Sequence, residues 1–342
     1  MPRKLRWTPG RVVQARFESR QLRGNPLGDP GDRDVFVYLP PGYDLEGNRR
    51  TRYPTVFVLS GFTGRGGMLL NATGWGEPLD RRLDRLIAAG RMKPAIVVLP
   101  DCFTRFGGSQ YLDSSATGRY ESHVVRELVP WVDAEFRTRP HGKHRAVMGK
   151  SSGGYGALVL GMRHPDVFGV VASHSGDAYF EYCYLPDFPH FVDQVRQHGS
   201  VRGFVQAFEA APKKTHALVK AMNVFAMAAC YSPNPRCKES FGVDLPFDLE
   251  TGELRLAVWK RWLRWDPVRM APRYARQLRK LRLLFVDCGL KDEFQLQWGA
   301  RILSEKLAKL GVRHVHQEFD DGHMDISYRY DVSFPILSRH LG

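Results

Sequence analysis

The sequence predicts an α/β fold in which a mostly parallel central sheet is covered by helices on both faces. Short apolar runs of strand length, bounded by Pro and Gly, recur along the chain, and such runs are typical of strands buried on both faces. Segments with helical spacing of apolar residues separate them, and this alternation indicates βαβ units. A G-x-S-x-G pentapeptide at 149–153 stands between one such run and the helix that follows.

The predicted elements follow one another regularly up to residue 176. Strands are predicted at 35–39, 55–59, 95–99, 146–148 and 170–172, and helices at about 120–136 and 154–162. The apolar residues of the first helix recur at helical spacing, at Val124, Val125, Leu128, Val129 and Val132. The order resumes with a strand at 282–287, a helix at about 295–310, a strand at 314–319 and a helix at 332–340.

The block at 177–274 interrupts this order, because it contains aromatic residues, prolines and weak helical patterns but no clear strand run. It is too long for an unstructured loop in a compact domain. We interpret it as a largely helical, basic insertion that forms a lid or cap over one edge of the sheet. The predicted division is therefore an α/β core of residues 1–176 and 275–342, with the insertion at 177–274.

The net charge of +14 is concentrated near this insertion, where 16 Lys and Arg stand against 7 Asp and Glu between residues 201 and 282. A basic surface can attract nucleic acid, anionic membranes or acidic substrates. We favour a solvated surface and expect no nucleic-acid partner. No run of 18 apolar residues occurs, so no membrane span is expected. Residues 1–11 lack the apolar segment of a secretory signal, which predicts a cytoplasmic protein.

The cysteines of the chain do not resemble a disulfide framework or a zinc site, because their number is odd and they lie far apart. We predict reduced thiols, with a local bridge between Cys230 and Cys237 as the open alternative. The five residues are Cys102, Cys183, Cys230, Cys237 and Cys288.

The pentapeptide at 149–153 predicts a serine nucleophile. It lies between a predicted strand and a predicted helix, and a sharp turn in that position lifts a serine hydroxyl clear of the sheet. Glycines two residues before and after the serine remove Cβ atoms that would clash in so tight a turn. This frame selects Ser151 over its neighbour Ser152. The alternative interpretation is a glycine-rich turn with an incidental serine.

A neutral serine needs a base, and His323 is the one that we select among the twelve histidines. His323 lies in a turn after the predicted strand 314–319. The loops at the carboxyl ends of parallel strands share one sheet edge, which is also where Ser151 is expected. His314 and His316, by contrast, lie within the predicted strand and would face one side of the sheet.

The acid is expected between the serine and the histidine in the chain. Asp292 follows the predicted strand 282–287 and would orient the imidazole by accepting a hydrogen bond from its far nitrogen. Glu293, and Asp287 at the end of that strand, stay open as alternatives, and Asp292 could also be an ordinary helix N-cap. The small-residue loop at 60–64 could supply backbone N–H groups that meet that of Ser152 around an oxyanion.

Several segments together resemble the putative esterase family of α/β-hydrolases, which includes S-formylglutathione hydrolase, feruloyl esterases and the mycobacterial mycolyltransferases. The resemblance covers residues 16–176 and 282–342 and rests on the segments 33–43, 118–133, 149–157, 289–294 and 321–323. It implies the α/β-hydrolase fold and a triad of Ser151, Asp292 and His323. It also implies an oxyanion hole formed by the backbone amides of Phe62 and Ser152, and neither a metal nor an organic cofactor. The block at 177–274 is longer and more basic than the connection usual in this family.

The predicted function is a serine carboxylesterase that hydrolyses an ester or thioester through an acyl-enzyme on Ser151. Transfer of the acyl group to an alcohol or sugar is the first alternative, and an inactive scaffold that binds a partner through the basic insertion is the second. The expected partner is a small-molecule ester, and the basic insertion favours an ester that carries a negative charge. Whether the chain forms a homo-oligomer stays open. Candidate substrate contacts are Gly61, Thr63, Tyr155 and Phe294.

Three tryptophans of the insertion, Trp259, Trp262 and Trp265, are spaced as one helical face. They are interpreted either as a stripe in the apolar core or as a surface of the lid that covers the substrate pocket.

Overall fold

Eight strands form the central sheet of the computed structural model, which describes residues 8–342. The prediction of a cytoplasmic protein rests on residues 1–11, and residues 1–7 of that segment lie outside the described residues. The strands are β1 Arg11–Glu18, β2 Asp32–Leu39, β3 Thr55–Leu59, β4 Ile96–Pro100, β5 Arg145–Lys150, β6 Val170–His174, β7 Leu283–Gly289 and β8 Val315–Phe319.

The strand order across the sheet is β1-β2-β4-β3-β5-β6-β7-β8. The pairs β1–β2 and β2–β4 are antiparallel, whereas every pair from β4 to β8 is parallel. The prediction of a mostly parallel sheet is therefore confirmed. Strands β3, β4 and β6 are buried along their whole length, as their continuous apolar sequences predict.

Strand β1 was absent from the predicted elements. Its sequence RVVQARFE alternates between exposed and partly buried positions, because it is an edge strand that pairs with β2 alone. Polar residues at every second or third position make such a strand hard to recognise from hydrophobicity. The sequence predicted that Asp287 lies at the end of its strand. Strand β7 runs to Gly289, so Asp287 lies within the strand.

Helices cover both faces of the sheet, as predicted. The core helices are Leu79–Ala88, Ser152–Arg163, Leu296–Lys309 and Tyr330–His340, together with a helical stretch made of Tyr120–Ser122, the π-helical His123–Leu128 and Val129–Glu135. Short 3₁₀ helices occur at Glu46–Asn48, Gly66–Leu70, Gly142–His144, Leu185–Asp187, Lys238–Ser240 and Ile326–Arg329.

The chain between β6 and β7 is mainly helical, and within this stretch the structure has only isolated β-bridges besides helices and turns. Its helices are Phe180–Cys183, Phe188–Gln197, Val201–Ala210, His216–Tyr231, Leu256–Leu263, Pro267–Arg273 and Ala275–Leu278.

These helices share one continuous apolar core with the sheet. Phe57 of β3 belongs to the same buried cluster as Phe191, Phe225 and Trp262, and a second cluster covers the opposite face of the sheet. Trp259 and Trp262 are both buried, and the indole N–H of Trp262 donates to Ser232 Oγ at 2.8 Å. These two tryptophans thus form a core stripe and do not cover a pocket.

The five cysteines are all unpaired, and four of them are buried. Cys237, the partly exposed one, donates from its thiol to Asp244, so the alternative of a Cys230–Cys237 bridge is wrong. In the part of the chain that the structure describes, no helix is long and apolar enough to cross a membrane.

Candidate active site

Ser151 forms the turn between β5 and the helix Ser152–Arg163, with φ 59° and ψ −127°. A non-glycine residue rarely adopts this conformation, and such local strain clusters at functional sites. The backbone N–H of Ser151 donates to the carbonyl of His174, the last residue of β6, at 2.9 Å. The turn is therefore fastened to the neighbouring strand while the serine side chain stands at the sheet edge.

The two glycines of the pentapeptide make this turn sterically possible. A Cβ atom on Gly153 would lie 2.1 Å from the carbonyl oxygen of Leu59, and one on Gly149 would lie 2.5 Å from the carbonyl carbon of Gly153. Real Cβ atoms do not approach backbone so closely. The close packing of the turn onto the end of β3 thus requires glycine at both positions.

The register of the parallel strands brings the predicted site loops to one edge of the sheet. Lys150 pairs with His174, His174 with Asp287, and Asp287 with Gln317, so these four residues form one row across β5 to β8. Ser151 directly follows this row. The loops that carry Asp292 and His323 leave the sheet just beyond it, as predicted from the carboxyl-end rule.

Asp292 and His323 lie in hydrogen-bond contact. The distance from His323 Nδ1 to Asp292 Oδ2 is 2.8 Å, and both residues are almost fully buried. The other carboxylate oxygen of Asp292 accepts the backbone N–H of Phe294 at 2.9 Å. The helix that follows begins at Leu296 with Gln295 as its N-cap residue, so Asp292 closes a turn before the helix and is not its N-cap.

The two alternative acids make different contacts. Glu293 Oε2 accepts the backbone N–H of His323 at 2.6 Å, so this carboxylate fixes the main chain of the histidine. Asp287 is fully buried within β7, where it contacts His174 Nδ1 at 2.6 Å and accepts from Arg329 Nε at 2.9 Å. Only Asp292 of the three carboxylates contacts the imidazole ring of His323 in the described structure.

The loop at 60–64 packs directly against the nucleophile turn. A Cβ atom on Gly61 would lie 3.5 Å from Ser151 Cβ. The hydroxyl of Tyr111 donates to the carbonyl of Ser60 at 2.7 Å and holds the start of this loop. Within residues 8–342, the backbone N–H groups of Phe62 and Ser152 donate to no protein acceptor, so both are free to bind an oxyanion.

Ser151 Oγ makes no hydrogen bond to His323 or to any other residue in the part of the chain that the structure describes. Hydrogen bonds between a nucleophile and its base are often long without substrate and tighten in the substrate complex. The structure thus brings Asp292 and His323 into contact and places Ser151 at the same sheet edge.

The predicted substrate contacts differ in their exposure. Phe294 is 42% exposed, and its ring lies edge-on to the imidazole of His323 with 4.8 Å between ring centroids. Thr63 is exposed and Gly61 is half-buried. Tyr155, however, is 0% exposed, and its hydroxyl donates to the carbonyl of Trp265 at 3.0 Å. The prediction that Tyr155 contacts substrate is therefore wrong, because its ring fills the core beneath the nucleophile helix.

A buried polar cluster that was not among the predicted site residues follows β6. Asp177 Oδ2 accepts from Gln110 Nε2 at 3.0 Å and from Tyr184 Oη at 2.8 Å. Burial raises the pKa of Asp177, although both hydrogen bonds and the nearby His323 oppose this shift. Gln110 has a positive φ of 51° and a buried Oε1 without a partner in the described residues. The position of Asp177 just after a parallel strand was the available signal, but Asp177 is also the first residue of the predicted insertion's range, 177–274.

Lys150, the residue before Ser151, adds a positive charge to this region. Burial lowers the pKa of Lys150, whereas the carboxylates of Asp292, Asp325 and Glu293 oppose the shift. The side chain is half-buried, and its charge balances part of the negative charge in the loops around His323.

Comparisons with known proteins agree on one family. A family model described as "Putative esterase" matches residues 30–331. The endo-1,4-beta-xylanase/feruloyl esterase of Xylanibacter ruminicola is 31% identical over 151 residues, which are 42% of this chain and 19% of that protein. Esterase Rv1288 of Mycobacterium tuberculosis is 32% identical over 173 residues, which are 49% of this chain and 33% of that protein. The chain thus spans only a fifth to a third of the length of these relatives.

Solved structures share the fold over nearly the whole chain. A ferulic acid esterase aligns with a TM-score of 0.61 and 21% identity, covering 97% of this chain and 98% of that chain. An S-formylglutathione hydrolase from Agrobacterium tumefaciens aligns with a TM-score of 0.60 and 17% identity, covering 97% and 96% of the two chains. At these identities the likeness establishes the α/β-hydrolase fold.

Proposed function

The chain belongs to the putative esterase family, and from this premise we propose that it is a serine carboxylesterase that hydrolyses an ester or thioester through an acyl-enzyme on Ser151. The observation that carries the proposal is the backbone of Ser151, held at positive φ in the turn after β5, on the same sheet edge as the hydrogen-bonded Asp292 and His323. A strained serine, an oriented imidazole and free backbone amides are the parts that acyl transfer needs.

In the proposed reaction, Ser151 Oγ attacks the ester carbonyl while His323 Nε2 takes the hydroxyl proton. Asp292 accepts the hydrogen bond from Nδ1, so it selects the tautomer with a free Nε2 and stabilises the imidazolium that forms. The backbone N–H groups of Phe62 and Ser152 bind the oxyanion of the tetrahedral intermediate. The imidazolium then protonates the leaving alkoxide or thiolate, and water repeats the sequence to release the acid and restore Ser151.

An apolar group of the ester is expected to bind beside His323. Three exposed apolar side chains, Leu290, Phe294 and Met324, belong to the two loops that carry the acid and the base, and they are 42%, 42% and 60% exposed. Exposed apolar side chains grouped at a site are typical of a ligand-binding surface. Because one relative and one structural neighbour are named for feruloyl or ferulic acid esters, an aromatic acyl ester is the substrate class that we propose.

The experiment compares Ser151→Ala with Ser152→Ala on p-nitrophenyl acetate and methyl ferulate. We expect Ser151→Ala to lower kcat by about 10³-fold or more, since the nucleophile is lost. Ser152→Ala keeps the backbone N–H and should stay within about tenfold of the wild type. Full activity of Ser151→Ala would overturn the proposal.

The same assay separates hydrolysis from acyl transfer. With a competing alcohol such as glycerol present, a hydrolase yields the free acid as its main product, whereas an acyltransferase yields the glycerol ester. Phe294→Ala tests the substrate class, because loss of the ring should raise KM for methyl ferulate more than KM for p-nitrophenyl acetate. An equal change for both esters would contradict the aromatic-ester proposal.

A further inference from the structure

A cavity lies among arginines that the proposed esterase reaction does not use. Its volume is about 520 Å³, and it is lined by Arg163, Tyr231, Pro233, Arg261, Arg264, Trp265, Arg273 and Tyr274. Four of these eight residues carry a positive charge and none carries a negative charge. A cavity of this volume is within the range that holds small-molecule ligands.

The lining arginines are held in place by their neighbours. Arg163 Nη1 donates to the hydroxyl of Tyr274 at 3.3 Å, and its guanidinium lies 5.5 Å from the centroid of the Trp265 ring. Arg273 Nη2 donates to the backbone carbonyl of Arg264 at 3.3 Å, and its guanidinium lies 5.2 Å from the Tyr274 centroid. These contacts hold the guanidinium groups of Arg163 and Arg273 beside two aromatic rings.

The positive charge of the cavity is only half neutralised. Arg163 pairs with Glu121 at 2.8 Å, and Arg261 pairs with Asp244. Within residues 8–342, no carboxylate lies within 4.0 Å of the guanidinium of Arg264 or Arg273. Like charges held together repel one another unless an anion binds, and guanidinium groups bind phosphate and carboxylate oxygens with paired hydrogen bonds.

The side of the cavity that Arg163 forms is distant from the proposed nucleophile. Ser151 precedes the first residue of the helix Ser152–Arg163, and Arg163 is the last. With a rise of 1.5 Å per residue, the two positions are separated by about 18 Å along the helix axis. Arg163 is therefore too far along the helix to contact the acyl group of a small ester bound at Ser151.

We propose that this cavity is a second binding site, for a small-molecule anion that carries two or more phosphate or carboxylate groups. The unpaired Arg264 and Arg273 supply the main contacts, with Arg163 and Arg261 at the sides. The site is independent of the proposed esterase function. It also gives the basic insertion a role other than selecting anionic esters, because Arg261, Arg264 and Arg273 of the insertion line this cavity.

The test measures binding of sodium pyrophosphate and of citrate by isothermal titration calorimetry in 50 mM NaCl. Three proteins are compared: the wild type, the double variant Arg264→Ala/Arg273→Ala, and the control Lys260→Ala/Arg276→Ala. The control removes two exposed positive charges from the same region without touching the cavity. Hydrolysis of p-nitrophenyl acetate by each protein reports that the fold is intact, and we expect it to change by less than twofold.

We expect at least one of the two anions to bind the wild type and the control equally, within about twofold, and to bind Arg264→Ala/Arg273→Ala at least tenfold more weakly. Binding of pyrophosphate alone assigns the site to phosphates, and binding of citrate alone assigns it to carboxylates. The proposal is overturned if neither anion binds the wild type, or if the control loses as much affinity as the cavity variant. Because calorimetry measures anion binding directly and ester hydrolysis is measured separately, a failure here is distinguishable from a failure of the proposed function.

Discussion

Glu293 accepts the backbone N–H of His323 at 2.6 Å, while the preceding residue, Asp292, contacts the imidazole of the same histidine at 2.8 Å. Two adjacent carboxylates thus hold one histidine by its main chain and by its side chain. A Cβ atom on Gly322 would lie 2.6 Å from Glu293 Oε1. The glycine before the histidine therefore lets this carboxylate pack against the turn.

This division of roles predicts different effects for two conservative substitutions. Asp292→Asn replaces the acceptor that fixes the imidazole tautomer, and we expect kcat/KM for p-nitrophenyl acetate to fall by about 10³-fold or more. Glu293→Gln keeps an acceptor oxygen for the backbone N–H of His323, so the loss should be about tenfold or less. Equal losses would mean that Glu293 also acts on the imidazole and would contradict the assignment.

Gly153→Ala should abolish the nucleophile turn. The added Cβ would lie 2.1 Å from the carbonyl oxygen of Leu59, which is backbone and cannot rotate away. We expect a destabilisation of about 3 kcal/mol or more, together with loss of esterase activity. Gly47→Ala is the matched control, since nothing lies within 4 Å of its added Cβ. Chemical denaturation checks both variants, and a Gly153→Ala protein as stable as the control would refute the packing argument.

Asp287→Asn should separate stability from catalysis. The carboxylate is fully buried and holds both His174 and Arg329, so neutralising it leaves the half-buried arginine without its charged partner. We expect a loss of about 3 kcal/mol in the free energy of unfolding. The specific activity of the folded fraction should stay within about tenfold of the wild type, in contrast to Asp292→Asn. A stable Asp287→Asn protein with no activity would point to Asp287 as the catalytic acid.

The buried carboxyl of Asp177 is expected to make the free energy of unfolding depend on pH. Burial raises the pKa of this carboxyl in the folded state above its ordinary value, so the folded chain binds the proton more tightly than the unfolded chain does. Protonation of Asp177 therefore stabilises the folded chain. This stabilisation is complete below the ordinary pKa of an aspartate and is lost as the pH rises through the folded-state pKa.

Asp177→Asn removes this titration and leaves an acceptor oxygen for Gln110 and Tyr184. Its Tm relative to that of the wild type should therefore increase from pH 4 to pH 7, by roughly 1–3 °C. Asp193→Asn, a change at an exposed carboxylate, should show no such trend. A difference between Asp177→Asn and wild type that is constant with pH, measured by thermal unfolding, would rule out the raised pKa.

The sequence by itself determined the parallel sheet and the three loops of the candidate site. Continuous apolar runs predict buried strands, and the loops at their carboxyl ends meet at one edge by topology alone. Ser151 and His323 were selected on that ground, and Asp292 was preferred while Asp287 and Glu293 stayed open. The glycine frame around Ser151 was readable as well, because only glycine tolerates the contacts with Leu59. Apolar runs and the glycine frame were sufficient to predict the features that depend on position along the chain.

Tertiary structure decided the features that depend on contacts between distant segments. The choice among Asp287, Asp292 and Glu293 needed side-chain directions, which strand register and loop shape set together. Burial of Tyr155 could not be read from its place next to the nucleophile, because helices far along the chain cover it. The arginine cavity likewise joins Arg163 to residues a hundred positions away. Hydrophobic periodicity describes which face is buried, whereas packing decides which partner covers it.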